Sequence, residues 1–271
     1  MTKQLVSIIM PVWNGENWVA EAIESALQQS YTHWELLVVD DGSSDHSLEI
    51  IQQFNDPRIR LFQQAHSGVS NARNLGLDNA NGDFICFLDC DDELPPQSLA
   101  TRVDLFYRQP KLGFADGIIE VWNADFSLQS ALHTPTFSGE PLNELRTLSS
   151  TCFYGITWMI RAEAIGNKRF NTDMSHSEDL AFFATVSNAR WCYDSVGVAI
   201  YKVRKRAGSA MSDLDGLAKG YEMLFTHLTL LRPEEKDWQP IFRSKVRRIL
   251  FRSFIKKHHF FRAFRSLSRW S

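Results

Sequence analysis

From Leu5 to Val12 the chain is apolar except for Ser7, and the run stops at Trp13-Asn14-Gly15. That length and composition predict a buried strand. Trp18, Val19, Ala22, Ile23, Ala26 and Leu27 then recur at three- and four-residue spacing, the signature of an amphipathic helix. Glu35-Leu36-Leu37-Val38-Val39 predicts a second strand. It halts at Asp40-Asp41-Gly42-Ser43-Ser44-Asp45, a cluster rich in turn formers and N-caps for a helix through Leu48, Ile51 and Phe54. A short third strand spans Ile59 to Phe62. Val69, Ala72, Leu75 and Ala80 line a third helix, with Asn81-Gly82 expected as its C-cap. Phe84-Ile85-Cys86-Phe87-Leu88 is a fourth strand ending in Asp89-Cys90-Asp91-Asp92, and Pro95-Pro96 opens a helix through Leu99, Val103 and Phe106.

Continuously apolar strands alternating with helices indicate an α/β fold, a Rossmann-like, mostly parallel sheet with helices on both faces. Ligands of such sheets bind outside the carboxyl ends of the strands. Here those ends carry Trp13-Asn14, Asp40-Asp41 and Asp89-Cys90-Asp91, which locates a binding site. The pattern weakens from Trp122 to Ser150, where variable structure is expected. Ile156 to Ile160 reads as a strand, Glu178 to Phe183 opens a helix, Trp191 to Val203 is extended, and Arg204 to Ser212 is a polar, basic loop. The organisation expected is a catalytic domain over 1–215, with a nucleotide-binding half (5–120) and an acceptor half (121–215), followed by a helical, basic extension over 216–271.

Charge sharpens that division. The net charge is −3, yet residues 241–271 hold ten Lys or Arg and no acid, so the other 240 residues hold 19 bases against 32 acids. No run approaches the roughly 18 apolar residues of a membrane span, and the short N-terminal run lacks a cleavage site. A cytoplasmic setting is expected. The four cysteines, with no C-x-x-C pair, read as reduced core thiols.

Asp89 and Asp91 flank one residue on an extended segment, so both project to the same side. Paired carboxylates repel each other and favour a cation. Hard oxygen donors at a strand end suit Mn²⁺ or Mg²⁺ shared with diphosphate oxygens. An isolated D-x-D is equally well a solvated turn before Pro95-Pro96, and the surrounding motifs decide between the two.

Val6-Ser7-Ile8-Ile9-Met10-Pro11-Val12-Trp13-Asn14-Gly15 followed by Glu35 to Asp45 resembles the opening of family 2 glycosyltransferases. Ala72-Arg73-Asn74-x-Gly76 and Gly82-Asp83-Phe84-Ile85-x-Phe87-Leu88-Asp89-x-Asp91-Asp92 match the same family in order and spacing, and Arg169-Phe170-Asn171 precedes Glu178-Asp179 as its downstream acidic pair does. The likeness is dense over 5–120, thinner from 155 to 212, and absent beyond about 215. It implies a GT-A fold and inverting, metal-dependent transfer of a sugar from a nucleotide-sugar to a hydroxyl of a carbohydrate or lipid-linked acceptor in bacterial surface polysaccharide assembly.

The resemblance also implies roles. Pro11 and Trp13 would wall the nucleoside pocket, with Trp13 stacking on the base. Asp41 would accept from the base, pointing to a UDP-sugar. Asp40 is either a pocket residue or a turn former, and Arg73 either a pocket-side cation or a helix ion pair. Asp89 would lie near the ribose, Cys90 would belong to the nucleotide-sugar site beside it, and Asp91 would hold the metal. Asp179 would be the base that deprotonates the acceptor, with Glu178 in support. Family members often carry Arg-x-His in the C-terminal loop. Here Arg204-Lys205-Arg206 stands there, and arginine cannot ligate a cation. Arg204 and Arg206 are therefore expected on the diphosphate.

Val246, Ile249, Leu250, Phe254, Phe260, Phe261, Phe264, Leu267 and Trp270 interleave with the basic residues of the tail. Such a stretch suits an anionic membrane surface and a peripheral place on the inner face of the cytoplasmic membrane. The alternative is a helix packed on the domain. No nucleic-acid recognition motif accompanies the charge. Rival functions are a catalytically silent sugar-nucleotide binder and a nucleotidyltransferase, the latter disfavoured by Pro11-Val12-Trp13-Asn14-Gly15 where a Gly- and Arg-rich loop is needed.

Overall fold

The structure is a computed structural model that describes residues 3–206, 213–262 and 270. Its centre is one mixed sheet. Strands β1 (Val6–Val12), β2 (Trp34–Asp40), β3 (Ile59–Gln63) and β4 (Phe84–Phe87) pair in parallel in the order β3-β2-β1-β4. Beyond β4 the sheet turns antiparallel through β7 (Met159–Arg161), β5 (Leu112–Trp122) and β6 (Gln129–His133), and β8 (Cys192–Arg204) runs parallel along the other side of β5. Helices α1 (Val19–Leu27), α2 (Ser47–Ile51), α3 (Val69–Asn79) and α4 (Ser98–Arg108) connect these strands, as the apolar spacing predicts. Every residue of β1, β2 and β4 is buried, which explains why they are apolar apart from Ser7, Glu35 and Asp40. The weakly patterned stretch 122–150 holds β6 and the short α5 (Leu142–Arg146).

Two small residues set how closely the layers approach. A Cβ on Gly76 would lie 2.4 Å from Ile9 Cγ2, so the glycine lets α3 sit directly on β1. Gly82 does not close α3 as a C-cap. The helix ends at Asn79 with Ala80 extended, and a Cβ on Gly82 would meet Ser7 N at 2.6 Å. Its N–H instead donates to Ser7 Oγ at 2.8 Å, so close approach rather than left-handed backbone demands glycine there. Pro11 lies inside central β1, where the missing N–H is tolerated because pairing with β4 has ended at Ile9–Phe87.

After α6 (Ala162–Ile165), α7 (Glu178–Ser187) and β8, the chain closes with α8 (Leu214–Leu231) and α9 (Gln239–Lys256). Phe242, Val246, Leu250 and Phe254 form the buried stripe of α9, and they belong to the same apolar cluster as Ile9, Leu37 and Phe183. Of the tail aromatics, Trp270 follows the packed reading. It is 6% exposed, with its ring 5.9 Å from Phe242 and 6.1 Å from Phe225. Phe260 and Phe261 are exposed, whereas Phe264 and Leu267 lie outside the described residues, as do residues 207–212 of the basic loop. The stripe at four-residue spacing is buried because α8 supplies an apolar surface, while Arg248, Arg252, Lys256 and Lys257 face outward.

Candidate active site

The site is built on the carboxyl ends of β1, β2 and β4. The turn after β1 is stitched to the turn after β2. Asn14 takes a left-handed backbone (φ 52°), its N–H donates to Ser43 Oγ at 3.0 Å, and its Oδ1 accepts from Ser44 N at 2.9 Å. Gly15 N donates to Ser47 Oγ at 2.7 Å and Glu16 N to Asp45 Oδ2 at 3.0 Å. This leaves Trp13 on the outside of a fixed turn, 54% exposed, with its ring stacked on His66 at 4.5 Å between centroids. Trp13 is therefore not a core aromatic.

Asp41 is buried and fully engaged. Oδ1 accepts from Gln64 Nε2 (2.6 Å) and Ser67 N (2.9 Å), and Oδ2 accepts from Gly68 N (2.8 Å) and faces His66 Nδ1 at 2.9 Å. It clamps the loop that leads into α3 and holds the imidazole against Trp13. The family resemblance implies Asp41 on the base; here its carboxylate oxygens face this loop. Asp40 Oδ1 accepts from Ser43 N at 3.3 Å, the contact of a turn former. Pro11 is buried in β1, so Trp13 rather than Pro11 presents a surface to solvent.

The A-R-N-x-G segment of α3 joins the two acidic ends of the site. Asn74 pins the segment before α7 by reciprocal bonds, Nδ2 to Phe170 O (3.0 Å) and Phe170 N to Oδ1 (2.8 Å). Arg73, 5% exposed, donates from Nη2 to Asp89 Oδ1 and from Nη1 to Glu178 Oε1, both at 3.1 Å. Its Nε–H is buried with no partner among the described residues. Arg73 is thus an ion-pair hub whose partners come from β4's end and from α7. Asp89 carries a carboxyl raised by burial, against which Arg73 pulls down and Asp91 pushes up. Asp89 N donates to Tyr201 Oη at 3.1 Å. Cys90 turns toward the 13–15 turn, and burial with Asp91 and Asp89 nearby pushes its thiol up to about 12, so it is a neutral packing group.

Asp92 is buried, its carboxyl raised well above the usual range by burial and then by Asp89 and Asp91, and its Oδ1 accepts from Arg204 N at 2.8 Å. Arg204, expected on the diphosphate, is held here as a lock. Only 3% of its side chain is exposed, and it donates from Nε to Asp91 O (2.8 Å), from Nη1 to Ala124 O (2.5 Å) and from Nη2 to Glu21 Oε2. It fixes the backbone that carries Asp91. Arg206 Nε donates to the Asp91 carboxylate itself, Oδ2, and the guanidinium lies 5.0 Å from the Trp18 ring centroid.

Asp179 stands at the start of α7, which is entered through left-handed Ser177 (φ 60°). Burial, then the charge of Glu178, pushes its carboxyl up to about 7 even though Arg73 pulls it down. A carboxylate poised near neutrality is suited to general-base work. Glu178 is occupied by Arg73 and takes no solvent-facing role. Sequence reading missed His66, Gln64 and Tyr201. β8 is not buried in strict alternation, so nothing local marks Tyr201, and nothing marks His66, which reaches Trp13 because Asp41 folds the loop back.

A family model described as Glycosyl transferase family 2 matches residues 7–167. An uncharacterized glycosyltransferase of Haemophilus influenzae is 36% identical over 186 residues, covering 68% of this chain and 72% of that protein. The Escherichia coli UDP-Glc:alpha-D-GlcNAc-diphosphoundecaprenol beta-1,3-glucosyltransferase WfgD is 40% identical over 124 residues, 45% of this chain and 49% of its own length, so the chain spans only about half of that relative. Among solved structures, S. aureus TarS 1-349 in complex with UDP-GlcNAc superposes with a TM-score of 0.68 at 18% identity over 91% of this chain and 72% of TarS, which shows a shared GT-A fold. With the mixed sheet, the strand-end carboxylates and the α3–α7 hub in place, the chain belongs to glycosyl transferase family 2.

Proposed function

We propose that this chain transfers a sugar, with inversion, from a UDP-sugar to a hydroxyl of a carbohydrate acceptor, and that the acceptor is lipid-linked and serves surface polysaccharide assembly. The observation that carries the reading is Asp179, a partly buried carboxyl raised to about 7 in the field of Arg73, the guanidinium that pairs Asp89 of the D-x-D segment with neighbouring Glu178. In its ionised form Asp179 takes the acceptor proton while the acceptor oxygen bonds to the anomeric carbon and the bond to the diphosphate breaks. One displacement of this kind needs no enzyme nucleophile. The exposed face of Trp13 receives the base, a stack worth roughly 1–3 kcal/mol. UDP and a lipid-linked acceptor are supported by the name of the Escherichia coli relative.

Asp91, with Asp89, suits Mn²⁺ or Mg²⁺: both offer hard carboxylate oxygens that already face positive guanidinium groups and are partly open to solvent. Among the described residues no three metal-ligating side chains form a cage, so one or two carboxylates and the diphosphate would share the ion. Such an ion supplies charge stabilisation to the leaving diphosphate.

The outward basic face of α9, with exposed Phe260 and Phe261, fits an anionic membrane surface where such an acceptor would reside. No helix of the described residues is long and apolar enough to cross a membrane.

Asp179→Asn keeps the shape and removes the base. Transfer should fall by roughly 10²–10⁴-fold with UDP affinity retained, as read by a product-release assay and calorimetry side by side. Near-normal turnover would exclude Asp179 as the base.

A further inference from the structure

Each of the three carboxylates at the end of β4 already has a positive or N–H partner from the chain: Asp89 has Arg73, Asp92 has the Arg204 backbone N–H, and Asp91 has Arg206. The pairs are not equivalent. The Arg73 and Arg204 side chains are 5% and 3% exposed and each holds several fixed partners, whereas the Arg206 side chain is 37% exposed. Its backbone origin is nevertheless fixed. Arg204, two residues earlier, is locked by Asp91 O, Ala124 O and Glu21, and Lys205 N donates to Trp122 O at 2.8 Å. A part-exposed head group on a fixed stem thus sits on the carboxylate that the proposed function assigns to the metal.

We propose that Arg206 is an exchangeable internal counter-cation: it occupies Asp91 in the nucleotide-free chain and passes to the diphosphate when donor and metal bind. This rests on the reading above, in which Asp91 holds the ion. A guanidinium and a divalent cation repel each other and compete for the same carboxylate oxygens, and arginine has no lone pair with which to join the coordination sphere. Metal entry therefore requires Arg206 to leave Asp91. A diphosphate offers the released fork more anionic oxygens, and more negative charge, than the single carboxylate it leaves. The exchange makes metal and nucleotide binding mutually reinforcing, because the nucleotide supplies the partner that Arg206 loses. By linkage the same factor must appear in both affinities.

The test measures Mn²⁺ binding by the paramagnetic signal of the free ion, with and without UDP, in wild type, Arg206→Gln, Arg206→Lys and Asp91→Asn. Removing the competing charge should tighten Mn²⁺ binding without UDP about tenfold in Arg206→Gln. UDP should then strengthen Mn²⁺ binding less in that variant than in wild type. Arg206→Lys keeps a cation and should stay near wild type, which separates charge competition from damage to the fold. Asp91→Asn combined with Arg206→Gln should erase the gain. If Arg206→Gln binds Mn²⁺ no tighter than wild type, or the double variant keeps the gain, the exchange is wrong. Failure of the wild type to bind UDP under any condition would instead overturn the functional reading beneath it.

Discussion

Replacing Arg73 by Met keeps the length and apolar bulk of the side chain and deletes one buried positive charge. The guanidinium is 5% exposed and holds Asp89 and Glu178 at 3.1 Å each, with Asp179 also in its field. Removing one partner of a buried ion pair costs about 3–5 kcal/mol because the remaining charges are left without compensation. For a chain of this size each kcal/mol lowers Tm by about 2–4 °C, so a fall of roughly 6–20 °C is expected at pH 8. The loss should shrink at acid pH. Without Arg73, Asp89 and Asp179 move further above their ordinary values, since its charge lowers both. A carboxyl raised in the folded state holds its proton more tightly there than in the unfolded chain. Stability from it is present below the unfolded value and is lost as pH rises through the folded value. Wild type and variant should therefore differ less at pH 5.5 than at pH 8. If Asp179 is the base proposed above, its carboxyl at about 7 sets the acid limb of kcat/KM, and the same shift moves that limb to higher pH in whatever activity remains. Differential scanning calorimetry at both pH values and a pH–rate profile read these effects. A Tm loss that is the same at both pH values, or an acid limb that does not move, would refute the charge coupling through Arg73.

Truncation after Pro240 removes Phe242, Val246, Leu250 and Phe254, all buried in the main cluster, so the shortened chain should aggregate or lose its cooperative thermal transition. A soluble truncation with the wild-type Tm would show that α9 is not part of the core. Charge reversal on the outward face, Arg248→Glu with Arg252→Glu, should leave Tm within a few degrees while reducing co-sedimentation with anionic vesicles at low salt. Unchanged sedimentation would remove α9 from the proposed membrane contact.

Much of this molecule is determined locally. The apolar runs of β1, β2 and β4, the three-four spacing of α1 and α3, and the acidic stop after β4 can each be read within a dozen residues, because burial on both sheet faces and on one helix face leaves its pattern in the chain. The place of the site follows from those strand ends alone, and Trp13, Asp89 and Asp91 with it. What the tertiary structure decided are the partners. Arg73 has two readings in sequence, and becomes a hub because Gly76 lets α3 settle on Ile9 and Asn74 holds the Phe170 segment so that Glu178 arrives beside it. Arg204 and Arg206 look alike in sequence, yet one is locked into β8's end and the other reaches Asp91. Asp41 turns its carboxylate oxygens to residues 64–68, and Trp270 is buried only because α8 and α9 meet above the core. Hydrogen bonds and ion pairs join residues 20 to more than 100 positions apart, and no periodicity records a contact at that range. The sequence carries the elements and the chemistry of each side chain; which charge meets which is settled by packing.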